Sequence, residues 1–143
     1  MNNLFANKFL YIPIIVWACI QTFKVIVDCI VNKKFNFKRL MGAGGMPSSH
    51  SAVVTTLATL IGKEYGFESG IFAISVIFAI IVMYDAAGVR RAAGKQASLL
   101  NQIIETSNLS PGMVSEKLVE VLGHTPIQVF VGAVIGIVVG LIF

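Results

Sequence analysis

Two histidines, each at the start of an apolar segment, are the residues of this sequence best suited to chemistry. His50 lies in the run Gly-Gly-Met-Pro-Ser-Ser-His-Ser-Ala at positions 44–52, and His124 lies in Gly-His-Thr-Pro at positions 123–126. The chain has no other histidine. An imidazole can attack phosphorus to form a phosphohistidine, or it can protonate a leaving alcohol. Two imidazoles at two helix entrances therefore suggest a site that handles phosphate at a membrane surface.

Cationic and hydroxyl side chains near these histidines could hold the oxygens of a phosphoryl group. Arg39, Arg90 and Arg91 can each bind phosphate bidentately. Ser48 and Ser49 stand beside backbone amides at the start of an apolar helix, where anions are stabilised. Lys38 adds a further cation next to Arg39. These groups are our candidates for phosphate binding.

A second polar group lies inside the first apolar segment. Gln21, Lys24 and Asp28 are spaced so that they share one helix face. Charges within a bilayer are costly and usually face the interior of a helix bundle. Two interpretations are open: Lys24 and Asp28 neutralise each other, or Lys24 reaches a bound phosphate.

The composition is that of a membrane protein. The chain has 143 residues, 56% of them hydrophobic and 13% charged, and its mean hydropathy is +0.83. Soluble domains carry about 25% charged residues, so lipid is the expected solvent and membrane lipids the expected neighbours. The net charge of +4 comes from cations at segment ends, which suits anionic headgroups or a phosphate ligand. Basic stripes with interleaved aromatics are missing from the sequence, so we expect no nucleic acid partner.

The cysteines and histidines do not predict a metal site. Cys19 and Cys29 would lie about 15 Å apart along one helix, too far for a disulfide. Two cysteines and two histidines spread in this way do not form a zinc site. We expect no metal and no cofactor.

Hydropathy predicts an all-α, polytopic membrane helical bundle that forms one domain over residues 1–143. Four membrane helices are expected at about 9–31, 47–62, 69–87 and 126–143. The second and fourth are shorter than the roughly 20 residues of a full crossing, and the second could be re-entrant. Two short amphipathic helices, at 92–106 and 112–122, are expected on the membrane surface.

Lysines and arginines predict the orientation, because cytoplasmic loops carry an excess of them. They cluster after the first and third helices, at Lys33, Lys34, Lys38, Arg39, Arg90, Arg91 and Lys95. We therefore expect an integral protein of a bacterial plasma membrane with these loops in the cytoplasm. This topology brings the 44–51 loop, the Asp85–Arg91 region and His124 to one membrane face, which would be cytoplasmic.

Small residues mark two helix faces. Gly132, Gly136 and Gly140 form a repeated small-xxx-small pattern in the last helix, which allows close helix approach. The pattern is compatible with packing inside one chain and with a homodimer, and the sequence does not separate them. Ser48, Ser51, Thr55 and Thr59 form a stripe on the second helix that indicates tight packing.

Three separated segments together resemble the divergent PAP2 family, membrane relatives of the type 2 phosphatidic acid phosphatases. They are Gly45–Ala52, Asp85–Ala97 and Leu122–Pro126, and the resemblance extends over nearly the whole chain. It implies a metal-independent phosphatase or phosphotransferase that acts on a lipid phosphate, with isoprenoid phosphates among the candidate substrates. Ser48 and Ser49 would contact phosphate, His50 would protonate the leaving group, and His124 would be the nucleophile. Lys38 and Arg39 stand where the first motif of the wider superfamily would be.

Gln128 departs from the superfamily pattern, which has an acidic residue four positions after the nucleophilic histidine. A carboxylate there would orient the imidazole and stabilise its developing charge, whereas an amide can only accept the hydrogen bond. In a serine triad the acid-to-amide change costs roughly 10⁴ in rate. Asp85 or Glu120 could supply the missing charge. The alternatives are a protein that binds phosphate or a lipid headgroup without turnover, and a structural membrane protein that assembles through its glycine face.

Overall fold

The computed structural model describes residues 6–33, 45–106, 118–120 and 122–143, and this part of the chain contains helices and no strand. The helices are α1 (Lys8–Asn32), α2 (Ser49–Tyr65), α3 (Gly70–Tyr84), α4 (Arg90–Thr106) and α5 (Pro126–Ile142), with a π-helical turn at Asp85–Val89. The predicted all-helical fold class is confirmed.

Side-chain caps fix where the helices begin. Asn7 accepts a hydrogen bond from the Phe9 amide at the start of α1, and Ser69 does the same for Phe72 at the start of α3. Ser and Asn are favoured at such positions because their oxygens satisfy amides that the helix leaves unpaired. The sequence prediction placed the helix starts within two residues of these positions.

The third helix is longer than predicted. We expected it to end near residue 87 and a separate amphipathic helix to span 92–106, but residues Gly70–Thr106 form one continuous helix of 37 residues. The π-helical turn carries the hydrogen bonding across Gly88, because the Arg90 amide donates to the Asp85 carbonyl five residues earlier. The second amphipathic helix was predicted at 112–122. Residues 118–120 and 122 are not helical, and the rest of that prediction lies outside the described residues.

In the described part of the chain, two helices are long and apolar enough to cross a membrane, namely α1 and the helix over Gly70–Thr106. The helices α2 and α5 have 17 residues each, a length of about 25 Å. This is shorter than the roughly 30 Å of a bilayer core, as the sequence predicted. That α2 and α5 also cross the membrane stays a prediction, and it would require the bilayer to thin around them or their ends to lie deeper than those of α1.

The α2 helix is the centre of the bundle, with α1, α3 and α5 packed against it. Its contact with α5 uses three glycines. A Cβ added to Gly132 would lie 2.3 Å from the Ser48 carbonyl oxygen, and one added to Gly136 would lie 2.3 Å from that of Ala52. A Cβ on Gly140 would lie 3.1 Å from the Thr56 carbonyl oxygen. Each contact joins positions 84 residues apart. A constant offset means that α2 and α5 run parallel, so their N-termini lie side by side.

Threonines on α2 hold this contact with hydrogen bonds. Thr55 Oγ1 donates to the Ala133 carbonyl at 3.1 Å and Thr56 Oγ1 to the Gly136 carbonyl at 3.1 Å. Of the two uses we gave the glycine face, the structure shows packing inside the chain. A homodimer through Gly132, Gly136 and Gly140 stays a prediction, and it would have to form beside a face that α2 already covers.

Candidate functional site

The two histidines lie together at the paired starts of α2 and α5. The centroids of the His50 and His124 rings are 6.3 Å apart. His50 is exposed in the first turn of α2, whereas His124, just ahead of α5, is only 3% exposed. The sequence placed both histidines on one membrane face, and the structure brings them close enough to contact a single phosphoryl group.

Ser48 ties the two helix starts to each other. Its amide donates to the Gln128 carbonyl on α5 at 3.0 Å. Its hydroxyl accepts from the amide and the hydroxyl of Ser51, at 3.4 and 3.0 Å. Ser48 and Ser49 are both buried, so the structure places Ser48 as the cap of α2 beneath His50. Their predicted contact with phosphate stays a prediction.

Gln128 orients the His124 ring. Its Oε1 lies 3.3 Å from His124 Nδ1 and accepts a hydrogen bond from the Thr125 amide at 3.1 Å. An amide nitrogen can only donate, so the Gln128 atom that faces both groups is the carbonyl oxygen. That oxygen can pair with Nδ1 only when Nδ1 carries the proton, and the tautomer this favours leaves a lone pair on Nε2. Gln128 thus performs the orienting part of the role that a carboxylate would have.

The backbone around His124 is fixed as well. The His124 amide donates to the Ala86 carbonyl in the π-helical turn at 2.9 Å. Gly123 has a φ of +88°, and a Cβ there would lie 2.5 Å from the Arg91 amide nitrogen. Only glycine meets both demands without strain. The chain can therefore pass close over the start of α4 and present the ring toward His50.

Burial is the main cause that lowers the pKa of His124 below its ordinary value of 6.5, and the charges of Lys24 and His50 lower this pKa further. Hydrogen bonds with the Gln128 side chain and the Gly45 backbone act in the opposite direction and raise the pKa. Because the net pKa of His124 is lowered, its imidazole is neutral at pH 7, the state in which a ring nitrogen can be a nucleophile.

Charged groups from two other elements reach the histidine pair. Lys24 is buried on α1, and its charge acts on both rings. Arg90 and Asp85 act on His50, and they pair with each other through Arg90 Nε and Asp85 Oδ2 at 2.5 Å. The site therefore combines a buried cation with an arginine whose orientation a carboxylate fixes.

The other predicted site residues are placed less directly. Arg91 is exposed at the start of α4, beside Gly123. Lys38 and Arg39 lie outside the described residues. Glu120, which we expected one helical turn before His124, lies in a non-helical stretch and accepts a hydrogen bond from Asn101.

Asn101 on α4 is a site-supporting residue that the sequence analysis missed. It is 4% exposed. Its Nδ2 donates to the Leu118 carbonyl at 2.9 Å and to Glu120 Oε1 at 2.8 Å. Its Oδ1 accepts a hydrogen bond from the Leu118 amide at 3.1 Å. These bonds attach the segment that leads to His124 onto α4. The partners lie 17 and 19 residues away in sequence, and no local pattern signals such a pairing.

The described residues include no group of three or more histidine, cysteine, aspartate or glutamate side chains placed to hold a metal ion. The groups that the described residues bring together here are two imidazoles, the cations Lys24 and Arg90, and two helix starts.

Fold and site together define a helical membrane protein with a paired-histidine site at the starts of two parallel helices. The chain matches the model of the Divergent PAP2 family over residues 5–139 and belongs to that family. It is 43% identical over 133 residues to a Bacillus subtilis (strain 168) protein named uncharacterized membrane protein YuiD, covering 85% of this chain and 84% of that protein. No solved structure matches the chain.

Proposed function

We propose that this membrane protein is a metal-independent phosphatase or phosphotransferase that acts on a lipid phosphate, with His124 as the nucleophile. The observation that carries the proposal is the pair of imidazoles 6.3 Å apart, of which the buried one has Nδ1 held by Gln128. Isoprenoid phosphates are included among the candidate substrates, and the site is proposed to face the cytoplasm.

In the first step, His124 Nε2 attacks phosphorus. The N–P bond forms as the bond from phosphorus to the ester oxygen breaks, and that oxygen takes a proton from His50. This step needs His50 as an imidazolium, a form that burial and the charges of Arg90 and Lys24 disfavour and that Asp85 and the negative charge of the bound phosphate stabilise. In the second step, a water or acceptor alcohol attacks the phosphohistidine and gives its proton to the now neutral His50, while the N–P bond breaks. Each histidine returns to its starting state, as nucleophilic and general acid–base catalysis require.

The cations and the helix starts would stabilise the charge on the phosphoryl oxygens. Lys24 and Arg90 are the described cations whose charges reach the histidines. The N-termini of α2 and α5 each add a partial positive charge at the same place. Stabilisation of this kind is usually the largest contribution to catalysis of phosphoryl transfer.

The test is phosphate release in nanodiscs without added metal, with phosphatidic acid, an isoprenyl pyrophosphate and a water-soluble phosphomonoester as substrates. We expect release by the native chain, loss with His124→Ala and a strong decrease with His50→Ala. Lys24→Met should weaken activity, whereas Lys8→Met, its matched control on the same helix, should not. Release that survives His124→Ala unchanged would overturn the proposal.

A second assay detects the intermediate directly. With a ³²P-labelled substrate and rapid quenching in base, the native chain should carry label in an acid-labile bond, which is typical of phosphohistidine. His124→Ala should carry none. His50→Ala should still accumulate label with substrates whose leaving group needs no protonation, such as an aryl phosphate.

One observation favours the second candidate, a protein that binds phosphate or a lipid headgroup without turnover. The group beside His124 Nδ1 is an amide and not a carboxylate, so it adds no negative charge to stabilise an imidazolium. This candidate predicts saturable binding of a lipid phosphate, dependent on Lys24, with no product and no labelled intermediate.

A further inference from the structure

Two cavities lie next to each other along α1. The larger, of about 430 Å³, is bounded by Cys19, Ile20 and Phe23 of α1, by Met46 and Pro47, and by Val131 of α5. The smaller, of about 280 Å³, is bounded by Lys24, Asp28 and Asn32 of α1, with Gly45 and Met46. Met46 contributes to both cavities.

The α1 residues of the two cavities form one stripe. They are positions 19, 20, 23, 24, 27, 28, 31 and 32, which form two adjacent rows of i, i+4 spacing that wind gradually around α1. Because the rows are continuous and Met46 bounds both cavities, the two cavities are successive parts of one trough, which extends along α1 for about 20 Å. We call this surface the α1 trough.

The α1 trough changes from polar to apolar along its length. Its polar part contains Lys24, whose charge acts on both histidines, and it ends near the last turn of α1. Its other part is lined by apolar side chains and Cys19, which lies near the middle of the 25-residue helix. The polarity thus matches a molecule with an anionic head at the histidines and a hydrocarbon chain beyond it.

The length and direction of the trough also suit a lipid. The helix α1 is long enough to span the bilayer, so a trough from its end to its middle covers one leaflet, about 15 Å of hydrocarbon. A lipid whose phosphate lay at the histidines would have its chain directed along this path.

We propose that the α1 trough binds one hydrocarbon chain of the lipid whose phosphate lies between His50 and His124, so that the substrate is a long-chain phosphate amphiphile drawn from the leaflet on the site's side. This inference rests on the proposed function for the position of the phosphate. Any second chain of the lipid stays in the bilayer, because the apolar part of the trough is a single channel between α1 and α5.

Cys19 provides a reporter inside the trough. In a Cys29→Ser background, the rate at which N-ethylmaleimide modifies Cys19 is measured by intact mass in nanodiscs, with hexadecyl phosphate, hexadecanol, or butyl phosphate added. Hexadecyl phosphate at about ten times its Kd should slow modification about tenfold, because only the unoccupied fraction reacts. Butyl phosphate and hexadecanol at equal concentration should leave the rate close to that of the untreated protein.

Two variants test the two parts of the trough separately. Lys24→Met should reduce protection by hexadecyl phosphate to the level of hexadecanol, with Lys8→Met as its control. Val131→Trp fills the apolar part and should lower kcat/KM for hexadecyl phosphate relative to butyl phosphate by on the order of tenfold, which corresponds to about 1.4 kcal/mol. Val134→Trp, at an exposed position of α5 outside the trough, is its matched control.

The outcomes separate this inference from the proposed function. Equal protection by hexadecanol and hexadecyl phosphate would mean that any hydrocarbon chain of the membrane fills the trough. Protection that grows with the number of protein copies per disc would mean that a second copy of the protein covers it. Either result overturns the inference. Phosphate release without protection of Cys19 refutes the trough and leaves the enzyme. Protection by hexadecyl phosphate without release supports the trough and refutes turnover.

Discussion

Replacing Gln128 with glutamate tests the chemistry of the site with little change in structure. In the native chain Gln128 Oε1 accepts from the Thr125 amide and faces His124 Nδ1 at 3.3 Å. A glutamate oxygen can make both contacts. Glutamate is also favoured at this position of a capping box and at a helix start, where the helix dipole stabilises negative charge. Gln128→Glu should therefore fold as the native chain does.

The expected gain follows from the hydrogen bond to His124. A hydrogen bond between neutral groups contributes about 0.5–1.5 kcal/mol and one to a charged group about 1.5–3 kcal/mol. The carboxylate should therefore stabilise the imidazolium that develops during attack by about 1–1.5 kcal/mol more than the amide, which is about tenfold in rate. The upper bound is the roughly 10⁴-fold effect of the reverse change in a serine triad.

The assay compares initial rates of phosphate release by the native chain, Gln128→Glu and Gln128→Ala. Gln128→Ala removes the orienting acceptor and should be slower than the native chain. Gln102→Glu makes the same change of charge at an exposed position of α4 and should match the native rate. The reasoning is refuted if the native chain releases phosphate and a correctly folded Gln128→Glu is no faster. If neither releases any, the non-catalytic binding protein becomes the better account.

Three further predictions concern pH, packing and the attachment to α4. The nucleophile must be neutral, and burial lowers the pKa of His124 below 6.5. The acid side of the pH profile of kcat/KM should therefore fall off with an apparent pKa below 6.5, and an apparent pKa of 6.5 or higher would contradict this. Gly136→Ala puts a Cβ 2.0 Å from a hydroxyl on α2 and should lower the free energy of unfolding in detergent by about 1–3 kcal/mol, whereas Gly70→Ala, with open space around it, should not. Asn101→Ala removes the side chain that pairs with the Leu118 backbone. It should reduce kcat and make the segment before His124 more sensitive to proteolysis. Unchanged kcat and unchanged protease resistance would contradict this prediction.

Helix positions and the meeting of the motifs could be predicted from the sequence, because both depend on local patterns. Caps such as Ser69 and Thr125 fix helix starts, and the alternation of apolar segments with basic loops decides which ends share a face. The continuation of α3 into α4 could not be predicted, since a π-helical turn maintained the helix through Gly88 where the sequence suggested an end. The Ala86 carbonyl of this turn accepts a hydrogen bond from the His124 amide, a contact between distant parts of the chain that no local pattern reveals.

The supports of the site were harder to predict than its chemical groups. His50 and His124 could be identified from the sequence because they are the chain's two histidines and both lie at helix starts. Asn101, by contrast, is one polar residue on a helix face, and its role depends on partners far away in sequence. The alternative uses of Lys24 were left open for the same reason: the sequence places it on a face but does not say what lies opposite.

The parallel packing of α2 and α5 provides a physical reason why the proposed site would attract an anion even with few cationic side chains among the described residues. Each helix start carries the equivalent of about half a positive charge, and the glycine contacts hold the two starts side by side beneath the histidines. An anion there would interact with both helix ends at once. His124 is 3% exposed, so one side of this place is shielded from water, and charge is screened only weakly there. The glycines of α5 carry no reactive group, but they hold the two helix starts together and would thus help the site to attract phosphate.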